Sequence, residues 1–131
     1  WWQQLTNLEL PKNSDNHMLW RCGVPATSIP QAYKLLQNID SKIRLWSYVD
    51  AGLIFAEIYV NDPIQAARII QTARTEIRAL RGNLIVDNAP ILVKSAIDIW
   101  GEAGGLEIMR QIKQHFDPRN ILSPGRFLEG I

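Results

Sequence analysis

The side chains best equipped for chemistry are few in this 131-residue chain, and they do not cluster. The two histidines, His17 and His115, lie far apart and in no ligand-spaced motif. A zinc site needs convergent His, Cys or carboxylate groups, and the spacing offers none. His115, near the end of a helical pattern, reads as a neighbour of the negative helix terminus. Cys22 is the single cysteine, which rules out an intrachain disulfide and a cysteine-based metal cluster. Its apolar surroundings predict a buried, inert thiol in a strand. No G-x-S-x-G, P-loop or G-x-G-x-x-G stands in the chain. Gly101, Gly104 and Gly105 follow an ambiguous helical pattern rather than a strand, which is the wrong context for a phosphate loop. The sequence therefore carries no self-contained active site.

Two stretches remain. The first is the tail from Phe116 to Ile131, where Pro118, Pro124, Gly125 and Gly130 forbid a regular element. Ile121, Leu122 and Phe127 sit between those breakers, a density of apolar residues foreign to a disordered tail. A packed coil after a helix stop is the expectation. The second is a set of aromatic residues at alternating positions in two neighbouring strand patterns, described below.

The elements that must position these residues begin with composition. A hydrophobic share of 47% and a charged share of 21% are ordinary for a globular domain. The length suits one domain with its own core. A net charge of +1 argues against a strongly electrostatic partner such as duplex DNA. No apolar run approaches the roughly 18 residues of a membrane span, and no secretory signal opens the chain.

Trp1, Trp2 and Leu5 lead into a polar stretch from Pro11 to Asn16, a loop in which the paired tryptophans cover the domain or meet a neighbour. Met18 to Val24 predicts a strand. Ser28 and Gln31 form a capping-box pattern for a helix to about Asn38, with Ile29, Ala32, Tyr33, Leu36 and Ile39 inward. Ile43 to Val49 and Leu53 to Val60 alternate around Asp50-Ala51-Gly52, which predicts an antiparallel hairpin. Asp62, Pro63 and Gln65 start a second helix whose stripe is Ala66, Ile70, Ala73, Ile77 and Leu80. Arg68, Arg74, Arg78 and Arg81 form its solvated face, and Gly82 ends it. Asn83 to Asp87 completes a β-α-β-β-α-β order. The fold class expected is α+β and ferredoxin-like, an antiparallel sheet with both helices on one face. Beyond it, Pro90 to Trp100 holds an ambiguous short helix, and Leu106 to about His115 a further one presenting Leu106, Met109, Ile112 and Phe116 on one side.

Helices on one sheet face leave the other with Arg44, Trp46, Tyr48, Leu53, Phe55, Glu57 and Tyr59. That face is too aromatic to be merely wet: it is an interface, or the C-terminal extension folds over it. RNA-recognition domains share the topology and stack bases on such aromatics. Gly52 and Phe55 match positions of their motif, whereas Ala51, Leu53 and Ile58 depart from it and Glu57 adds a negative charge.

The tail pattern F-D-P-x-x-I-L-x-P-G-R-F resembles the C-terminal signature of FAD-linked oxidases of the vanillyl-alcohol oxidase type. It is most similar to the glycolate oxidase branch, where chains end in F-D-P-x-x-x-x-N-P-G-K/R, although Ser123 stands at the usual Asn. The motif spans about a tenth of the chain. The resemblance implies FAD in a parent protein and an upstream FAD-binding domain, with residues 1–17 as the linker from it. It further implies a cap core over 18–88 and a C-terminal extension over 89–131 carrying the coil. It places Ser123, Pro124, Gly125 and Arg126 at the cofactor, with Arg126 able to pair with a substrate carboxylate or cofactor phosphate. Many D-2-hydroxy-acid dehydrogenases of the family carry an H-G-x-G-N motif and cap histidines, and this chain has neither. The FAD-binding E-type subunit of glycolate oxidase is similar in that respect. The resemblance then implies a D-type flavin subunit and an iron–sulfur subunit as partners, and oxidation of a 2-hydroxy acid in the complex. It also implies a cytoplasmic location, any membrane association being made through the complex, and neither activity nor firm FAD binding in this chain by itself. The alternative is a ferredoxin-like module that binds RNA or protein through the aromatic face. A cap should hold the 116–131 coil packed with Arg126 facing a cleft, and a free-standing module should leave the aromatic face open.

Overall fold

A computed structural model describes residues 16–102 and 104–131; the reading of Trp1 and Trp2 lies outside them. The chain forms two compact units, one ending at Ile99 and one spanning Trp100–Ile131.

In the first unit, β1 (His17–Gly23), α1 (Ile29–Ile39), β2 (Arg44–Tyr48), β3 (Leu53–Tyr59), α2 (Pro63–Ala79) and β4 (Asn83–Asn88) follow the βαββαβ order. The strands form an antiparallel sheet in the order β2-β3-β1-β4, so the fold is α+β and ferredoxin-like, as the patterning predicts. Period-two alternation sends Met18, Trp20, Cys22, Ile54, Ala56, Ile58, Leu84 and Val86 to one side. There they meet Ile29, Ala32 and Leu36 of α1 and Ala66, Ile70, Ala73 and Ile77 of α2. Trp20 is the largest fully buried side chain, and each such large apolar residue stabilises the fold by about 1.5–3 kcal/mol. Cys22 is buried here, and its desolvation pushes the thiol up to about 12, which makes it unreactive.

Several local expectations are corrected. Ser28 makes no side-chain capping bond; it closes a 3-10 turn at Ala26–Ser28 that runs straight into α1. Asp62 does cap α2, accepting from the Ile64 amide at 2.9 Å. Gly82 is not the left-handed residue that ends α2, because Arg81 takes that conformation (φ 59°). Glycine is needed at 82 for close approach: a Cβ there would stand 2.6 Å from the Gly23 carbonyl oxygen and 2.8 Å from Ile77. Val49 lies beyond the end of β2 and is exposed rather than inward. Arg74 is not simply solvated, since its guanidinium donates to the Asp98 carbonyl. That bond, with the Val86 amide to the Ile99 carbonyl at 2.8 Å, ties the segment after β4 to the sheet and α2. The ambiguous stretch contains a one-turn helix, α3 (Ile91–Lys94), and Ala89 and Val93 join the core.

The second unit contains α4 (Leu106–Phe116), a coil, and a 3-10 turn at Leu128–Gly130. Gly105 starts α4 with φ 78° and no side-chain cap. Glu107 in the first turn and Lys113 and His115 in the last suit the helix dipole. Pro118 disfavours continuation through Asp117, and the helix stops there.

Candidate functional site

The coil of the second unit is organised by a residue to which the sequence reading gave no role. Asp117, only 6% exposed, accepts from the Ile121 amide at 3.0 Å through Oδ1 and from the Leu122 amide at 2.9 Å through Oδ2. The Lys113 ammonium donates to Oδ2 and to the Leu122 carbonyl, each at 2.6 Å. Lys113 and Asp117 meet because residues four apart share a helix face. The hydrogen bond from Lys113, then those from Ile121 and Leu122, hold the Asp117 carboxyl down at about 2. Two backbone donors and one cation thus fold the chain back over the end of α4. An Asp-Pro directly after a helix, with Lys one turn earlier, was the available signal.

Downstream, Arg126 donates its amide to the Ser123 carbonyl at 3.3 Å. Pro124 stands second and Gly125 third, with φ 71°, which are the requirements of a type II turn. Around Gly125 a Cβ would meet nothing within 4 Å, so its glycine is demanded by backbone conformation alone. Ser123 also lies in the left-handed region (φ 48°), which Asn tolerates better than Ser. Arg110 Nη2 holds Glu129 Oε2 at 2.5 Å, and Trp100 packs edge-on against Phe127 with centroids 4.9 Å apart.

The structure brings Ser123, Pro124, Gly125 and Arg126 together in one turn, and all four are exposed. The expected packing of the coil is not seen: Phe116, Ile121 and Leu122 are 78%, 71% and 64% exposed. The stripe on α4 is not buried either. Instead Met109, Ile112, Phe116, Leu122, Phe127 and Ile131 line an almost wholly apolar groove of about 360 Å³. Arg126 lines neither this groove nor the more polar cleft beside Asp117.

On the sheet face away from the helices, Trp46 and Phe55 stack with planes 6° apart and Tyr48 meets Phe55 edge-on. Trp46, Tyr48 and Tyr59 are exposed. Glu57 does not present a bare negative charge there, because Arg44 and His17 both pair with it. Among the described residues no group of His, Cys, Asp and Glu is arranged to hold a metal, and no helix is long and apolar enough to cross a membrane.

The family described as FAD linked oxidases, C-terminal domain, matches residues 100–127. The matched segment falls inside the second unit and includes the Asp117 clamp and the Ser123–Arg126 turn. It supports an FAD-linked oxidase C-terminal domain, a family whose parent enzymes use FAD and carry an FAD-binding N-terminal domain. No curated protein and no solved structure matches the chain.

Proposed function

We propose that this chain is the C-terminal part of an FAD-linked oxidoreductase, in which the Ser123–Arg126 turn approaches the flavin cofactor. The observation that carries this reading is the coincidence of the family match with a distinct unit that ends in an ordered but exposed turn. A turn that follows directly on Ile121 and Leu122, which Asp117 and Lys113 hold, and that has open space around Gly125, is suited to take a partner's surface against its backbone. The exposed Ile121 and Leu122 suit the same role, since apolar patches of this kind mark interfaces.

The finer reading is a subunit of the glycolate oxidase E type, capping the flavin for 2-hydroxy acid oxidation beside D-type flavin and iron–sulfur subunits in the cytoplasm. It rests on the tail pattern and on the missing H-G-x-G-N motif. Arg126 supplies the cation for a substrate carboxylate or a cofactor phosphate, and Gly125 the close backbone approach. No residue of this chain is assigned a proton or hydride transfer.

The test joins this chain to an FAD-binding domain of the same family, in one polypeptide or as separate chains, and records the visible spectrum after gel filtration. Flavin absorbance that co-elutes, and that falls on Arg126→Ala or on removal of residues 116–131, supports the proposal. A folded, colourless complex in excess FAD sinks it.

A second reading is favoured by one observation, the stacked and exposed Trp46–Phe55 pair on a face whose carboxylate is neutralised. A module binding RNA or protein there would lose its ligand on Trp46→Ala while tolerating loss of the tail.

A further inference from the structure

In the first unit, a row of touching side chains crosses the sheet, one polar residue from each strand: Arg44 of β2, Glu57 of β3, His17 of β1, which lies diagonal to Glu57 because its register partner is Tyr59, and Asn88 of β4. His17 and Glu57 are only 3% and 7% exposed. Burying such groups costs free energy that an apolar pair would not, so a row of this kind points to a use other than stability. It ends at a cleft of about 520 Å³, lined by His17 and Asn88 together with Asn61, Val60, Ile91 and Lys94 among others.

The hydrogen bonds fix what this cleft can offer. A carboxylate only accepts, so His17 Nε2 donates to Glu57 at 3.2 Å. On the other side of the ring, Nδ1 faces the Asn88 amide nitrogen at 3.4 Å, and an amide nitrogen that donates there keeps a second N–H. Asn61 Oδ1 is taken by Asn16 Nδ2 at 2.7 Å, so the amino group of Asn61 is its remaining donor. Among the described residues of the lining, Lys94 adds the one formal charge. The cleft therefore combines two amide donors and an ammonium with apolar walls, and among the described residues its lining contains no carboxylate.

We propose that this cleft binds a compact amphipathic carboxylate, its head on Lys94, Asn61 and Asn88 and its apolar body along Val60 and Ile91, with Glu57 and His17 acting as positioning residues for Asn88. A phosphate site of comparable quality would offer backbone amides or a forked guanidinium, and among the described residues the lining has no Arg. The site lies in the first unit and is independent of the flavin reading.

The test is an amide chemical-shift titration of the 131-residue chain with octanoate, and with 1-octanol and octylamine as probes of the same tail. Octanoate should shift the Asn61, Asn88 and Val93 amides saturably, binding at least about tenfold tighter than octanol or octylamine. Lys94→Glu, an exposed substitution, should weaken octanoate by about tenfold or more while leaving the spectrum otherwise folded. Asn88→Asp, which places a negative charge at the head-group position, should do the same. Equal response to octanoate and octanol, shifts confined to the aromatic sheet face or to the second unit, or no response at all would each overturn the assignment.

Discussion

Asp117 shows how much one carboxylate can organise when local donors converge on it. Replacing it with Asn keeps a similar shape but removes the charge that holds Lys113 and leaves one acceptor where there were two. Asp117→Asn should release residues 120–126, seen as faster hydrogen exchange at the Ile121 and Leu122 amides, with the sheet amides unchanged. The same clamp has a pH signature. The Asp117 carboxyl is lowered from 3.8 to about 2 by folding, so its contribution is fully present above the unfolded value and is lost as pH falls through about 2. An acid titration should therefore loosen the coil between about pH 4 and 2. An order that survives unchanged to pH 1 would show that something else holds the coil. Ser123 gives the opposite sign. At φ 48° a Ser carries a left-handed penalty that Asn bears more easily, so Ser123→Asn should slow exchange of the Arg126 amide, a gain of up to about 1 kcal/mol. The Asn usual in the resembling family thus has a conformational reason apart from any cofactor contact.

Among the elements, strands and helices were legible wherever a single periodicity ran uninterrupted. The 54–56–58 alternation and the 66–70–73–77 stripe could be read because burial on one side forces period two in a strand and near four in a helix. Ends were less legible, since several residues can serve the same geometry. Arg81 took the left-handed position expected of Gly82, and the reason became visible only when Gly23 and Val24 packed against residue 82. Gly82→Ala should cost about 1–3 kcal/mol in denaturant unfolding, because backbone stands on the crowded side and cannot withdraw as a side chain can. Gly125→Ala should instead perturb only its own turn, at about 1–2 kcal/mol, with no steric component. In α4 the pattern was legible but its meaning was not. A stripe of Met109, Ile112 and Phe116 predicts burial, and the sequence of one chain does not say against what.

For the molecule as a whole, the sheet topology followed from the order of patterns, whereas the extent of the first unit did not. The expectation set the boundary at Asn88, where periodicity ends with β4, and gave everything from residue 89 onward to the C-terminal extension. The core shows where residues 89–99 belong: Ala89 and Val93 are buried in it, and Ile97 and Ile99 pack against it. Backbone and guanidinium bonds to Ile99 and Asp98 add directional ties. Among the described residues, that core cluster draws nothing from beyond Ile99. A chain ending after Ile99 should therefore unfold cooperatively with nearly the stability of the longer one. A chain ending after Asn88 forfeits the burial of Val93 and the contacts of Ile97 and Ile99, a loss of about 2–5 kcal/mol. For a domain whose total stability is only about 5–15 kcal/mol, that is a large fraction. Urea unfolding of the two truncations separates the cases. Equal midpoints would mean that residues 89–99 are appended to the fold, and a much lower midpoint for the shorter chain would mean that they complete it.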